Sequence, residues 1–331
     1  MNRARPFPWG FALLSVLLLL VVGGLGLGFI GAVTGGGQSA VAGPRIALIE
    51  VSGAISDEGA SSALGGSTQG ARDVIENLDQ ARLDPTVKAV VIRVNSPGGS
   101  AAASQEMYQA VRRVGKPVIC SMGDLAASGG YYVAAACDKI YANGSTLTGS
   151  IGVISQFLNY QNLFKKLGLN EATIKSGRFK DAGNPARALT PAERQLFQAM
   201  IMNVYEQFVD DVAKGRKGKL TRAQILKLAD GRVYTGKQAL GNKLVDSLGG
   251  LHEAIQEAAK RGGISGEPDI KNFSASRGLL GGLLGAKTDA RISTEIGAMG
   301  TSAGQAAGQA FAETMVRQLK QESTSPAPQA R

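Results

Sequence analysis

The chain has 331 residues, of which 44% are hydrophobic and 19% charged, which excludes a wholly disordered polymer. Its 45 glycines are about twice the usual share but follow no Gly-X-Y period, which excludes collagen. Lys and Arg exceed Asp and Glu by 36 − 26 = 10, and with 5% aromatics and no nucleic-acid motif this basic balance points to an anionic membrane surface and not to nucleic acid.

Arg3 and Arg5 open the chain, and residues 6–44 then carry no charge. Residues 11–30 are a mostly apolar run, long enough to cross a bilayer core at about 1.5 Å per residue. The positive-inside rule places the N-terminus in the cytoplasm and the rest of a single-pass chain on the extracytoplasmic side of the cell membrane. Trp9 sits where an interfacial anchor belongs. The rival reading is a cleaved signal peptide with Ala40-Val41-Ala42 as its processing site. Residues 31–43 read as a flexible tether of small residues. Residues 1–44 are thus stub, anchor and tether, 45–271 the folded domain, and 272–331 a separate C-terminal region.

Within the folded part, Arg45–Val51 reads as a strand and Ser61–Gly70 as a loop. Ala71–Gln80 reads as a helix, with Val74, Ile75 and Leu78 on one face. Lys88–Val94 is nearly continuously apolar, as in a strand buried on both sides. A turn at Asn95–Gly99 leads into a helix ending near Val114. Pro117–Met122 is the next strand, Gly123–Ala127 a loop, and Ser128–Ala136 a helix. Lys139–Ala142 and Ile151–Ser155 read as short strands, Gln161–Leu167 as a helix, and Glu171–Lys175 as a strand. Pro191–Ala213 is a long helix. Thr221–Leu228, Thr235–Leu240 and Leu251–Lys260 are shorter ones, the first two with Thr N-caps. Alternating strands and helices argue an α/β fold with a mostly parallel sheet. Past Asn272, Gly278–Gly285 is low complexity, 292–321 can form an amphipathic or pairing helix, and 322–331 is a polar tail.

Three local features carry chemistry. Asn95-Ser96-Pro97-Gly98-Gly99 exposes consecutive backbone N–H groups before a helix, a place for an oxyanion. Ser128 opens a helix among residues too small to block access, in Ala126-Ala127-Ser128-Gly129-Gly130. Lys180 lies in a loop, in Ser176-Gly177-Arg178-Phe179-Lys180-Asp181. Singly, the bland readings are a turn, an N-cap and a solvated lysine. Together they are the parts of a serine hydrolase: nucleophile, base and oxyanion hole.

Val90–Gly99 (VVIRVNSPGG), Ser121–Tyr132 (SMGDLAASGGYY), Thr148–Val153 (TGSIGV), Lys175–Asp181 (KSGRFKD) and Asp230–Leu251 resemble signal peptide peptidase A over about residues 45–262. One N-terminal span and one copy of the domain resemble that family's short form. The resemblance implies that Ser128 is the nucleophile and Lys180 the general base of a Ser–Lys dyad. It implies that Ser150 supports the lysine, and that Gly99 and Gly129 form the oxyanion hole. It implies a crotonase- and Clp-protease-like β-α superhelix behind an N-terminal transmembrane helix. It also implies a membrane-tethered homo-oligomeric ring that degrades remnant signal peptides, with a site that family members can complete across a subunit boundary.

The chemistry agrees with that resemblance. A serine hydroxyl needs a base, and the only histidine, His252, lies far along the chain in a helix, where a surface or packing role is the plain reading. A Ser–Lys pair is the alternative, and it requires a dry site that lowers the lysine pKa by about 3 units. No zinc-protease motif or paired-cysteine motif is present, so neither metal nor cofactor is expected. Cys120 and Cys137 read as buried thiols. Gly231–Lys237 (GRVYTGK) falls short of a P-loop because Gln238 stands where Ser or Thr is needed. Lys214, Arg216, Lys217, Lys219 and Arg222 read as a solvated loop or as a contact for lipid headgroups. Two rival functions stay open: a crotonase-type acyl-CoA enzyme on the same fold, and a non-catalytic membrane scaffold.

Overall fold

The computed structural model describes residues 43–59 and 69–274. The expected anchor at 11–30, the cleavage site at 40–42, the tether up to residue 42, most of the loop Ser61–Gly70, and the three C-terminal segments at 278–331 lie outside the described residues. No helix among the described residues is long and apolar enough to cross a membrane.

Strands β1 (Arg45–Ile55), β2 (Val87–Gly99), β3 (Val118–Ala127), β4 (Lys139–Ala142) and β5 (Leu147–Gly149) occupy the first half. They alternate with helices α1 (Ala71–Leu83), α2 (Ala101–Arg113) and α3 (Gly129–Ala135). Next come α4 (Gln161–Lys166), α5 (Pro191–Gly215) and α6 (Arg222–Leu228), followed by β6 (Val233–Thr235), α7 (Gly236–Gly241), β7 (Ser247–Leu248), α8 (Leu251–Arg261) and β8 (Asp269–Asn272). The sheet runs β6-β5-β3-β2-β1-β8, with β4 beside β3 and β7 beside β4. All of its pairings are parallel except β5 with β6.

Strand alternation explains the two cores. Ala47, Ile49 and Val51 of β1 and Val90, Ile92 and Val94 of β2 face α1, α2 and α3. Ile46, Leu48, Ala89 and Val91 face α8 through Ala254, Ile255 and Ala258. The central strands are therefore buried on both sides, which is why Lys88–Val94 has no polar alternation. Each fully buried aliphatic side chain contributes about 1.5–3 kcal/mol. Thr190, Thr221 and Thr235 cap α5, α6 and α7 with side-chain bonds to the third helical N–H, as Thr before a helical pattern predicts. Cys120 and Cys137 are buried free thiols, as expected.

Several expectations need correction. Asn95–Gly99 is not a separate turn: β2 continues through it, with Ala54 opposite Gly98 and Ile55 opposite Gly99 after a register shift. Gly123–Ala127 is strand and not loop, because Leu125–Ala127 pairs with β5. The strand beside the Ser150 region is Leu147–Gly149, and Ile151–Ser155 has no regular structure. Glu171–Lys175 is exposed and irregular, since no strand of the same chain pairs with it among the described residues. The short strands β6, β7 and β8 went unread.

In the basic cluster Lys214, Lys217, Lys219 and Arg222 are exposed, as in a solvated segment, but Arg216 is not. Arg216 is fully buried and donates to both carboxylate oxygens of Asp246 (2.9 and 2.8 Å) and to the Lys243 carbonyl. Lys219 also pairs with Asp246, Lys214 with Asp211, and Arg222 with Glu206 and Asp210. Asp246 additionally accepts the Ile140 N–H (2.8 Å), so one carboxylate ties α5, α7 and β4 together. Burial pushes the Asp246 carboxyl up, but Arg216, Lys219 and the Ile140 N–H outweigh it and hold its pKa below the usual range. Its stabilising contribution is therefore present above the ordinary carboxylate pKa and lost as pH falls through the lowered one. Asp246→Ala leaves the Arg216 charge buried and unpaired, and unfolding by urea should show a loss of about 3–5 kcal/mol.

Candidate active site

β3 ends at Ala127, opposite Gly149 of β5, and the chain turns sharply at Ser128 into α3. The Ser128 N–H donates to the Gly149 carbonyl (2.9 Å). Ser128 has φ 51° and ψ −119°, a region that non-glycine residues rarely occupy, so local strain is held by what surrounds it. A serine at this position normally caps the helix, yet the Ser128 hydroxyl makes no capping bond. The side chain is half-buried and makes no hydrogen bond among the described residues.

The frame under Ser128 is rigid. All seven residues of α3 are buried. The Tyr131 hydroxyl donates to the Leu244 carbonyl (2.9 Å), and the Tyr132 hydroxyl to Asp211 (2.6 Å). Tyr132 also stacks on Phe208 at 4.4 Å. Burial pushes both phenols well above their ordinary range, and Asp211 adds to this at Tyr132, so both stay neutral donors.

Gly98 and Gly99 close over this corner. A Cβ on Gly98 would lie 2.5 Å from the Gly129 nitrogen and 2.9 Å from the Ser128 Cβ. One on Gly129 would lie 2.3 Å from Ser104 Oγ and 3.3 Å from the Gly99 nitrogen. The Gly99 and Gly129 amides thus lie next to each other beside Ser128. As the first residue of α3, Gly129 has no intrahelical acceptor for its N–H.

Ser150 leaves β5 one residue after Gly149, so Ser128 and Ser150 depart side by side from paired strands. Ser150 also has positive φ, 48°. The segment that nearly spelled a P-loop brackets it: the Ser150 N–H donates to the Arg232 carbonyl (2.8 Å), and the Gly231 N–H to the Ile151 carbonyl (3.1 Å). This bracketing role of Asp230–Tyr234 was missed in the sequence; its only signal was glycine beside a short β-rich run.

Lys180 is not bonded to this corner. It is exposed in a turn, where its N–H donates to the Gly177 carbonyl (3.1 Å). No hydrogen bond or ion pair joins it to Ser128 or Ser150 among the described residues. Its loop is nevertheless anchored. Asp181 pairs with Lys175 (2.5 Å) and Arg187 (3.0 Å), and Arg187 pairs with the buried Glu193 of α5 (2.5 Å). The Arg187 guanidinium, helped by the Thr190 N–H, lowers the Glu193 pKa to about 2. The stretch around Lys180 exposes Ile154, Leu158, Leu163, Leu167, Ile174 and Phe179, and α4 buries no residue at all. His252 is exposed on α8. Among the described residues, no group of three or more His, Cys, Asp or Glu side chains could hold a metal ion.

The mixed α/β sheet, with a serine at a strained strand-to-helix corner, is consistent with a Clp-protease-like α/β protein, and the Clp protease family model matches residues 65–146. The peptidase family S49 model matches residues 110–265. The chain is 38% identical over 227 residues to "Putative protease slr0021" of Synechocystis, covering 68% of this chain and 76% of that one. It is 36% identical to Protease 4 of Haemophilus influenzae (70% of this chain, 37% of that one). It is 39% identical to the chloroplastic serine protease SPPA of Arabidopsis thaliana (66% and 33%). The chain belongs to peptidase family S49, in agreement with its resemblance to signal peptide peptidase A. It spans about a third of the Haemophilus and Arabidopsis relatives.

Proposed function

We propose that the protein is a membrane-anchored serine endopeptidase working through a Ser128–Lys180 dyad. The observation that carries this reading is Ser128 itself: a strained serine with an uncommitted hydroxyl, beside the adjacent Gly99 and Gly129 amides. The Ser128 hydroxyl attacks a peptide carbonyl while the neutral Lys180 amine takes its proton, with Ser150 orienting that amine. The Gly99 and Gly129 N–H groups hold the oxyanion, and losing one such donor costs about 3 kcal/mol of barrier. The lysine returns the proton to the leaving amine, and water then releases the acyl group by the same route in reverse.

Lys180 is exposed in one chain, and the dry setting a neutral lysine needs is not built around it there. A second copy of the chain supplies that setting in this reading: it covers the exposed apolar stretch 154–179 and brings Lys180 to a neighbouring Ser128, in a homo-oligomeric ring. The substrates are extended hydrophobic peptides, remnant signal peptides among them, with small side chains at the glycine-lined corner. Residues 11–30 anchor the ring in the lipid, with the domain extracytoplasmic.

The test is active-site labelling of the full chain in detergent by a fluorophosphonate, which forms a bond from Ser128 Oγ to phosphorus and expels fluoride. Mass spectrometry should find the label on Ser128, and the unlabelled enzyme should cleave casein and a fluorogenic signal-peptide fragment. An assembled chain that takes no label and cleaves neither substrate favours the scaffold. Saturable binding of an acyl-CoA favours the crotonase-type enzyme.

A further inference from the structure

The sheet is faulted where it meets the site, and one hydroxyl bridges the fault. Between β1 and β2 the pairing runs Ser52 with Asn95 and then Ala54 with Gly98, so Ser96 and Pro97 lie opposite the single residue Gly53. This is a β-bulge, which leaves ladder groups without their regular partners. Pro97 has no N–H to offer. The Ser96 hydroxyl fills the gap from both sides: it donates to the Gly53 carbonyl (2.6 Å) and accepts the Gly98 N–H (3.1 Å). Ser96 is 0% exposed, so water cannot replace it without a structural change. Its carbonyl also lies 2.8 Å from where a Cβ on Gly130 would be, which places Ser96 directly beneath α3.

The pairing of β2 with β3 is faulted at the same level, running Val94 with Met122 and then Ser96 with Ala126. Here Asn95 Oδ1 accepts the Leu125 N–H (3.2 Å), and the hydroxyls of Thr146 and Thr148 hold the Gly123 and Ala126 carbonyls, each at 2.7 Å. Side chains thus secure both flanks of β2 where it approaches Ser128. Ser96 is the member that bonds directly to the Pro97–Gly98 peptide, one residue before the Gly99 amide.

We propose that Ser96 is a positioning residue whose hydroxyl fixes the Pro97–Gly98 peptide, and through it the adjoining Gly99 N–H, against the developing oxyanion at Ser128. The inference rests on the oxyanion-hole reading given above. Ser96 touches no substrate. Without its hydroxyl the Gly98 N–H and the Gly53 carbonyl both lose their partner, and the bulge relaxes away from Ser128. A misplacement of about 1 Å at a reacting centre can cost about 100-fold in rate.

The experiment compares full-length wild type, Ser96→Ala and Ser96→Cys on the fluorogenic peptide. Cysteine keeps the shape with a slightly larger atom and weakens both hydrogen bonds. Binding of the uncleaved peptide is measured in a Ser128→Ala background, and affinity for a peptide boronate, which mimics the tetrahedral adduct, in the active background. The expected result is a fall in kcat of about 10- to 100-fold in Ser96→Ala, a smaller fall in Ser96→Cys, and peptide binding unchanged. Boronate affinity should fall in step with kcat. A merely structural role would lower thermal stability without that split. If Ser96→Ala does not fold, Ser96→Cys decides alone by the same criteria. A folded variant with wild-type kcat, or one whose peptide binding weakens while kcat holds, overturns the proposal. If wild type neither cleaves nor takes the fluorophosphonate label, the peptidase reading falls and this inference with it.

Discussion

Co-assembling a Ser128→Ala chain with a Lys180→Ala chain is expected to restore cleavage that neither chain shows alone. Each substitution by itself should lower kcat by about 10⁴-fold or more, because nucleophile and base act as a unit. The basis for rescue is where the fold puts the two residues. Ser128 is held by a wholly buried helix, whereas Lys180 is exposed on a loop anchored to α5 through Asp181, Arg187 and Glu193. That anchor holds the loop with no bond to Ser128 among the described residues, so moving the loop within one chain would have to break it. The apolar stretch around the loop, with Ile154 83% exposed and Ile174 fully exposed, is a surface that an ordinary monomer does not leave uncovered. If a neighbour supplies the lysine, a site works only when its serine comes from the Lys180→Ala chain and its lysine from the Ser128→Ala chain. Random mixing at equal amounts gives this in about a quarter of sites around a closed ring. Pairing within one chain gives none. Co-expression with two different tags, tandem purification and the peptide assay separate the outcomes. A doubly tagged oligomer with no activity would place the dyad within one chain.

The structural setting of the candidate site was legible where it is local. Ser128 could be read because small residues on both sides of a serine at a strand-to-helix junction leave a local mark, and the fold puts that junction at Ala127–Gly129. The double-sided burial of β2 was legible because an unbroken apolar run has few other uses. The continuation of β2 through Asn95–Gly99 was not, since proline and two glycines signal a turn, whereas here they mark bulges secured by Ser96 and Asn95. Strand β8 was missed because Asp269–Asn272 is polar and mostly exposed, so its pairing with β1 leaves no apolar alternation to see. Arg216 was misread because a run of cations looks solvated until their acidic partners, some of them about 30 residues away, are folded against them. Glu171–Lys175 was misread for the opposite reason: its β-prone residues meet no partner strand in the same chain.

Gly98→Ala should cost most of the activity, for reasons that need no knowledge of the substrate. Gly98 has φ +92°, where an L-residue is strained in any surroundings. Its Cβ would also lie 2.5 Å from the Gly129 nitrogen, 2.9 Å from the Ser128 Cβ and 3.0 Å from the Ala127 carbonyl oxygen. None of these atoms is the end of a flexible side chain, so no change of rotamer relieves the clash. Either the Gly98–Gly99 peptide moves off or the Ser128–Gly129 corner does, and both separate the two amides from the serine. Loss of one oxyanion donor typically lowers kcat by about 10²–10³-fold, and that is the fall expected here. Thermal stability should drop as well, because the displaced peptide pulls on the Ser96 bridge to Gly53. Gly144→Ala is the matched control: nothing lies within 4 Å of a Cβ there, and its kcat should stay at the wild-type value. A folded Gly98→Ala protein with full kcat would mean that this end of β2 does not hold the oxyanion, and the second donor beside Gly129 would have to be sought outside β2.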